Sequence, residues 1–308
     1  MNIIVDIDPY LKKAYKIKQF SSADDLEAED FSIEINTRAI NYARIFSMFD
    51  ISSEIFTYLG GFVGDNYREL LKRENTLGQI INIKDSTREK LFIYDGIRDL
   101  KIYSKTPRIT NDERNNIYEG YLETIRESDF IILPETNNSI YEEEFYINFI
   151  NVAFKAGKKL ALITNKNNIN KLISYRPHTI LVDKKALESY AKKELNFNWE
   201  INNVIKSLID LGIKYVIYYS DKATVQVQDK DNIVTSFGEG FDFDRKNKDK
   251  VLAGFIASIN KNYDLEMVAK IALAASKLEL KREELNRDAG TIKASINNIE
   301  IEQANVRK

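Results

Sequence analysis

The chain has 308 residues, a net charge of −2 and a pI of about 5.8, with 30% charged and 44% hydrophobic residues; this is a folding composition with no bulk electrostatic pull toward nucleic acid or an anionic membrane. It contains no cysteine and one histidine, which excludes disulfides, thiolate catalysis and iron–sulfur clusters and leaves no basis for His-rich metal sites or Ser-His-Asp chemistry. Twelve glycines and four prolines are about 4% and 1.3%, against a usual ~7% and ~5%, so there are few places for a loop whose backbone N–H groups cradle phosphate.

In chain order, residues 3–7 read as a strand closed by Asp8-Pro9. Residues 15–20 and 31–36 alternate apolar and polar side chains, as half-buried strands do, around a polar acidic loop at 21–30. A helix at 37–49, a strand at 54–59 ending in Gly60-Gly61 and an amphipathic helix at 65–74 follow. Two short alternating runs, 91–94 and 100–103, flank Asp95-Gly96, a hairpin signal with a loop longer than two residues. From residue 112 strands and helices alternate: helix 112–127, strand 130–133, helix 141–155 ending at Gly157, strands 159–163 and 179–182, helices 184–193 and 199–211, strand 215–219. Strands 224–228 and 233–237 read as an antiparallel pair, and helices 248–260, 264–278 and 281–288 complete the reading.

Strands separated by helices of ten or more residues imply a mainly parallel sheet covered on both faces. The runs near 10–36 and 88–106 break that rhythm. They predict a small second sheet packed at the edge of the α/β core, a lid over the carboxyl ends of the strands, where such folds bind ligands. The expectation is one domain over 1–308, with the lid made of those two insertions. The longest apolar runs, such as 251–259, are far short of the ~18 residues that span a bilayer, and no basic segment with a long apolar stretch opens the chain; the expected location is the cytoplasm.

Several stretches resemble the PfkB (ribokinase-like) carbohydrate kinases, particularly their 1-phosphofructokinase and tagatose-6-phosphate kinase branch. Leu59-Gly-Gly-Phe-Val-Gly64 is similar to that branch's Leu-Gly-Gly-Phe-x-Gly, Thr87-Arg88 to the Thr-Arg opening its lid hairpin, Asn41-Tyr-Ala-Arg44 to its Asn-x-Ala-Arg, and Asp249-Lys-Val-Leu-Ala-Gly-Phe255 to its Asp-[Ser/Thr]-x-x-Ala-Gly-Phe. The resemblance implies a ribokinase-like three-layer α/β/α core with a β-sheet lid. It also implies transfer of the ATP γ-phosphoryl group to a sugar-phosphate hydroxyl, chemistry that is nearly all positioning and electrostatics.

The motifs that would carry this chemistry have changed. The family's Gly-Ala-Gly-Asp is Lys246-Asn-Lys-Asp249 here. Asp249, the implied general base, remains, while Lys246, Asn247 and Lys248 form a degenerate anion hole. Losing one donor of such a hole typically costs ~10²–10³ in rate. The sugar-binding Gly-Gly-Lys-Gly-x-Asn becomes Asn36-Thr-Arg-Ala-Ile-Asn41, keeping a cation at Arg38 and the amide of Asn41. Asn-Pro-x-x-Asp becomes Asp8-Pro-Tyr-Leu-Lys12, a charge reversal at its last member. Asp8, Arg38, Asn41 and Arg88 are the implied substrate-binding residues. Gly-Ser-Leu-Pro-x-Gly aligns with Pro134-Glu-Thr-Asn-Asn-Ser139, and the Asn-x-x-Glu of the metal region with Asp183-Lys-Lys-Ala, without its glutamate. The nucleotide loop Gly-x-x-Gly aligns with Tyr219-Ser-Asp-Lys222, placing Tyr219 and Lys222 at its glycine positions.

Scaffold residues thus persist where site residues have changed, whereas random drift would blur both. The expected function is a PfkB-family sugar-phosphate kinase homologue that has lost most or all phosphotransfer but keeps fold, dimerisation and ligand binding; the alternative is a divergent, active kinase with Asp249 as base. Mg²⁺ and ATP are required only if it is active. The expected partners are a sugar phosphate or nucleotide and a second copy of the chain through the lid, with no nucleic acid, membrane or resident metal. His178 reads as a loop or surface residue, Trp199 as a packing or capping contact at a helix start, and the acidic residues at 24–30 as solvated charge.

Overall fold

The computed structural model describes residues 1–20, 25–35, 37–74, 76–134, 143–242, 244, 247–280 and 285–306. Among them, one large sheet holds β1 (Asn2–Asp6), β4 (Ser53–Leu59), β5 (Leu77–Asn82), β8 (Phe130–Leu133), β9 (Lys159–Ile163), β10 (Thr179–Val182), β11 (Tyr215–Tyr219), β12 (Val225–Gln228), β13 (Asn232–Phe237) and β14 (Glu300–Asn305). Their order is β14-β13-β12-β11-β10-β9-β8-β1-β4-β5. From β11 to β5 every pairing is parallel; β12, β13 and β14 add antiparallel strands at one edge.

Both faces of this sheet are covered, which is why its strands are almost continuously apolar. In β1, Ile3 and Val5 enter one buried cluster and Ile4 the other. One face carries α1 (Thr37–Met48), α2 (Gly61–Arg73), α8 (Lys248–Asn260), α9 (Leu265–Ala275) and α10 (Leu285–Ile296). The other carries α3 (Asn111–Ile125), α4 (Glu143–Lys155), α5 (Ile169–Leu172), α6 (Lys184–Ala191) and α7 (Asn198–Asp210). The result is the expected α/β/α sandwich.

The second sheet is also as expected, two strands from each insertion: β2 (Tyr10–Ile17), β3 (Ala28–Ile35), β6 (Arg88–Tyr94) and β7 (Asp99–Tyr103), in the order β3-β2-β6-β7. The outer pairs are antiparallel and the central pair, β2 with β6, is parallel. Asp95 closes the β6–β7 hairpin by accepting from the Ile97 and Arg98 N–H groups, with Gly96 at φ 85°.

Several expectations need correction. β5 and β14 were not anticipated, and the chain closes on a strand where the pattern predicts a helix. The helix expected at 281–288 is instead α10, while residues 281–284 lie outside the described ones. The second helix begins at Gly61, four residues early, because Gly60-Gly61 opens it rather than ending the preceding strand. His178 lies in the loop before β10, as the loop alternative expects, and is half-buried between the rings of Phe130 and Tyr215. Trp199 does make a packing contact at a helix start, stacking on the N-cap residue of α7, Phe197, although both rings are 61% exposed.

Candidate active site

Two crossings from the large sheet to the lid lie side by side. β1 runs through Ile7–Pro9 into β2, and β5 runs through 83–87 into β6. The second crossing is held by the retained Leu-Gly-Gly segment. Gly60 donates its N–H to Thr87 Oγ1 at 3.0 Å and accepts from the Thr87 N–H at 2.9 Å. A Cβ on Gly60 would lie 2.2 Å from the Asp85 carbonyl and 2.3 Å from that of Ile83. The glycine therefore permits a close backbone contact that fixes where Arg88 begins the lid.

Asp8 and Arg88 meet at this junction. Arg88 Nη1 donates to Asp8 Oδ1 at 3.2 Å, and Lys90 Nζ lies 3.4 Å from Asp8 Oδ2. Lys90 Nζ also sits 3.2 Å from the Tyr10 ring centroid, a close cation–π contact. Burial holds the Lys90 ammonium below its usual pKa, the Asp8 carboxylate opposes that, and Arg88 and Arg38 add to it. Arg88 is 5% exposed, and its buried Nε has no hydrogen-bond partner among the described residues. Lys90 was missed in the sequence, although period-two alternation puts it on the same face of β6 as Arg88. Lys12, the charge-reversed member of its motif, pairs with Glu34 of β3 at 3.0 Å.

Asp249 lies in the first turn of α8, where the helix dipole favours a carboxylate. It is 4% exposed. The buried Tyr42 hydroxyl donates to its Oδ1 at 3.1 Å, and Arg38 Nε is 3.9 Å from its Oδ2. Both partners come from the first half of α1, the helix that packs against α8. Asn41 is half-buried in the same half of the helix. Arg44, by contrast, forks onto Glu74 at 2.9 and 2.6 Å and reaches the Leu280 carbonyl, so its retention is architectural.

Two of the other implied positions carry fully buried side chains, Lys248 and Tyr219. Lys248 is fully buried, and its Nζ lies 2.7 Å from Asp183 Oδ2. Asp183 follows β10 and caps α6, its Oδ1 accepting from the Ala186 N–H at 2.8 Å. Beside it the Tyr218 hydroxyl has its pKa pushed up to about 12, by burial first and then by Asp221 and Asp183. Asn247 is the N-cap residue of α8 without a side-chain cap bond; Lys246 and residues 135–139 lie outside the described residues. Tyr219 is fully buried at the end of β11 and its hydroxyl is held above its usual pKa, chiefly by burial. Lys222 is exposed. The turn between β11 and β12 is Ser220–Ala223, closed by the Ala223 N–H on the Ser220 carbonyl at 3.1 Å, with Ala223 at φ 55°. The residue that adopts a glycine-like conformation is therefore Ala223, one past Lys222.

Among the described residues no group of three His, Asp or Glu side chains is placed to hold a metal ion. At this edge the Asp183 carboxylate is already paired with the buried Lys248 ammonium, at 2.7 Å.

No protein-family model matches the chain. The 1-phosphofructokinase of Bacillus subtilis is 21% identical over 261 residues, 82% of this chain and 83% of that protein. A crystal structure from Staphylococcus aureus, provisionally a phosphofructokinase, superposes with a TM-score of 0.87 at 18% identity over the whole of both chains. Phosphofructokinase-2 from Escherichia coli in complex with substrates and products gives 0.79 at 18% identity, covering 96% of this chain and 99% of its own. The fold is the ribokinase-like carbohydrate-kinase fold. Within it, the resemblance to the PfkB-type phosphofructokinases is shown by sequence and by structure alike.

Proposed function

We propose that the chain is a sugar-phosphate kinase homologue that binds a phosphorylated sugar between lid and core and has lost most or all phosphotransfer. The observation that carries this is a contrast between two sides of one site. Where the lid meets the core, Arg88 and Lys90 meet on Asp8, Arg38 lies near enough to act on Lys90, and among the described residues the buried Arg88 Nε lacks a partner, a donor suited to a phosphate oxygen. On the α8 side, the position of a phosphate-approaching glycine carries the buried Lys248. Phosphotransfer needs backbone donors preorganised around the migrating group, and a side chain here occupies their approach.

Calorimetry with fructose 1-phosphate and tagatose 6-phosphate, run beside an ADP-release assay with Mg²⁺-ATP, tests the reading. Binding without ADP release is expected, and Arg88→Ala should weaken it about ten- to hundredfold, one charge-assisted hydrogen bond being worth ~1.5–3 kcal/mol. Sugar-dependent ADP release abolished by Asp249→Asn would establish instead the second reading, an active Mg²⁺- and ATP-dependent kinase with Asp249 as base. The place of Asp249 at a helix N-terminus beside Arg38 favours that reading. A cytoplasmic homodimer formed through the lid belongs to the same proposal. Among the described residues no helix is long and apolar enough to cross a membrane.

A further inference from the structure

Burying an ammonium costs several kcal/mol unless it is paired, and a cation at a helix N-terminus opposes the dipole. Lys248 does both. It is the first residue of α8, it is 0% exposed, and it reaches Asp183, 65 positions away in sequence, at 2.7 Å. The pair bridges two helix N-termini, those of α6 and α8, at the carboxyl edge of the sheet. Helix N-termini at such an edge offer unpaired N–H groups to anions. Here the anion is supplied from within: the Asp183 carboxylate takes the Ala186 N–H, and Lys248 neutralises it.

We propose that the Lys248–Asp183 pair is an internal lock, a cation and anion held within the fold that keep an external polyphosphate off the N-termini of α6 and α8. The lock rests on the reading above, as the specific cause of the lost phosphotransfer.

The test is binding of inorganic tripolyphosphate with Mg²⁺, by calorimetry, to the full chain and to the double variant Lys248→Ala/Asp183→Asn. Asparagine keeps the cap on α6, and the double variant removes both charges of the pair rather than stranding one, so it should fold even where Lys248→Ala alone does not. The expected result is at least tenfold tighter tripolyphosphate binding by the double variant than by the wild type. Equal affinity of the two proteins overturns the lock. The two proposals fail separately: ADP release by the wild type defeats the lost-phosphotransfer reading, whereas an inactive wild type with no gain in the double variant defeats the lock alone.

Discussion

At the scale of single residues, the buried carboxylate of Asp249 is restrained more than it is poised. Its hydrogen bond from Tyr42 is a charge-assisted contact inside the core, and removing the hydroxyl leaves a buried acceptor short of a donor. Tyr42→Phe should cost about 1.5–3 kcal/mol of stability by chemical denaturation. None of this was legible in the sequence: Tyr42 sits at the variable position of its motif, and its partner is 207 residues away. Lys90, Asp183 and Tyr42 all act through long-range pairings, which local pattern cannot carry. His178 gives a residue-scale prediction of another kind. Burial first, then Lys214 and Lys159, lower its pKa from 6.5 to about 4. Between those values the unfolded chain binds the extra proton, so this residue's contribution to stability is present above pH 6.5 and is lost as pH falls toward 4. The loss is about 3 kcal/mol at most. Denaturation of the wild type and His178→Gln at pH 7 and pH 4.5 should show a smaller drop in the variant; equal drops would refute the assignment.

At the scale of elements, the retained glycines explain what the resemblance preserved. Gly60 allows the contact with the 83–87 crossing, and Gly254 lets α8 and α9 approach until an added Cβ would stand 2.8 Å from that of Ala275. Such requirements belong to packing and hold whether or not the chain catalyses phosphotransfer. Gly254→Ala should destabilise by about 1–3 kcal/mol through overpacking of a tight helix pair, read from the denaturant midpoint with unchanged slope. The core strands and the lid hairpin were legible because their apolar pattern and turn chemistry are local. β5 was not: Leu77-Gly-Gln-Ile-Ile-Asn82 is interrupted by Gly78 and forms only by parallel pairing with β4. β14 was not either, since Glu300-Ile-Glu-Gln-Ala-Asn305 is a largely exposed edge strand with one isoleucine, defined by its register on β13.

At the scale of the whole molecule, the lid sheet has two unlike faces. Arg88 and Lys90 share one with Tyr10 and Lys12, their register partners on β2. On the opposite face, register sets Ile33, Lys13, Leu91 and Ile102 in one row across all four strands, and Phe31, Tyr15, Ile93 and Leu100 in the next. Phe31, Ile33, Leu100 and Ile102 are each 40–48% exposed. This largely apolar band, broken by Lys13, is the face through which the proposed dimer would form, and among the described residues β3 and β7 are the sheet's outer strands. In the proposed dimer a second copy would cover it, because a two-fold axis presents the same band to itself. Light scattering at micromolar concentration should therefore report a dimer. Ile33→Lys with Ile102→Lys should convert it to a monomer while leaving the unfolding of the core nearly unchanged, since both side chains are already exposed. A wild-type monomer at that concentration would leave the band without its occupant and remove dimerisation from the proposed function.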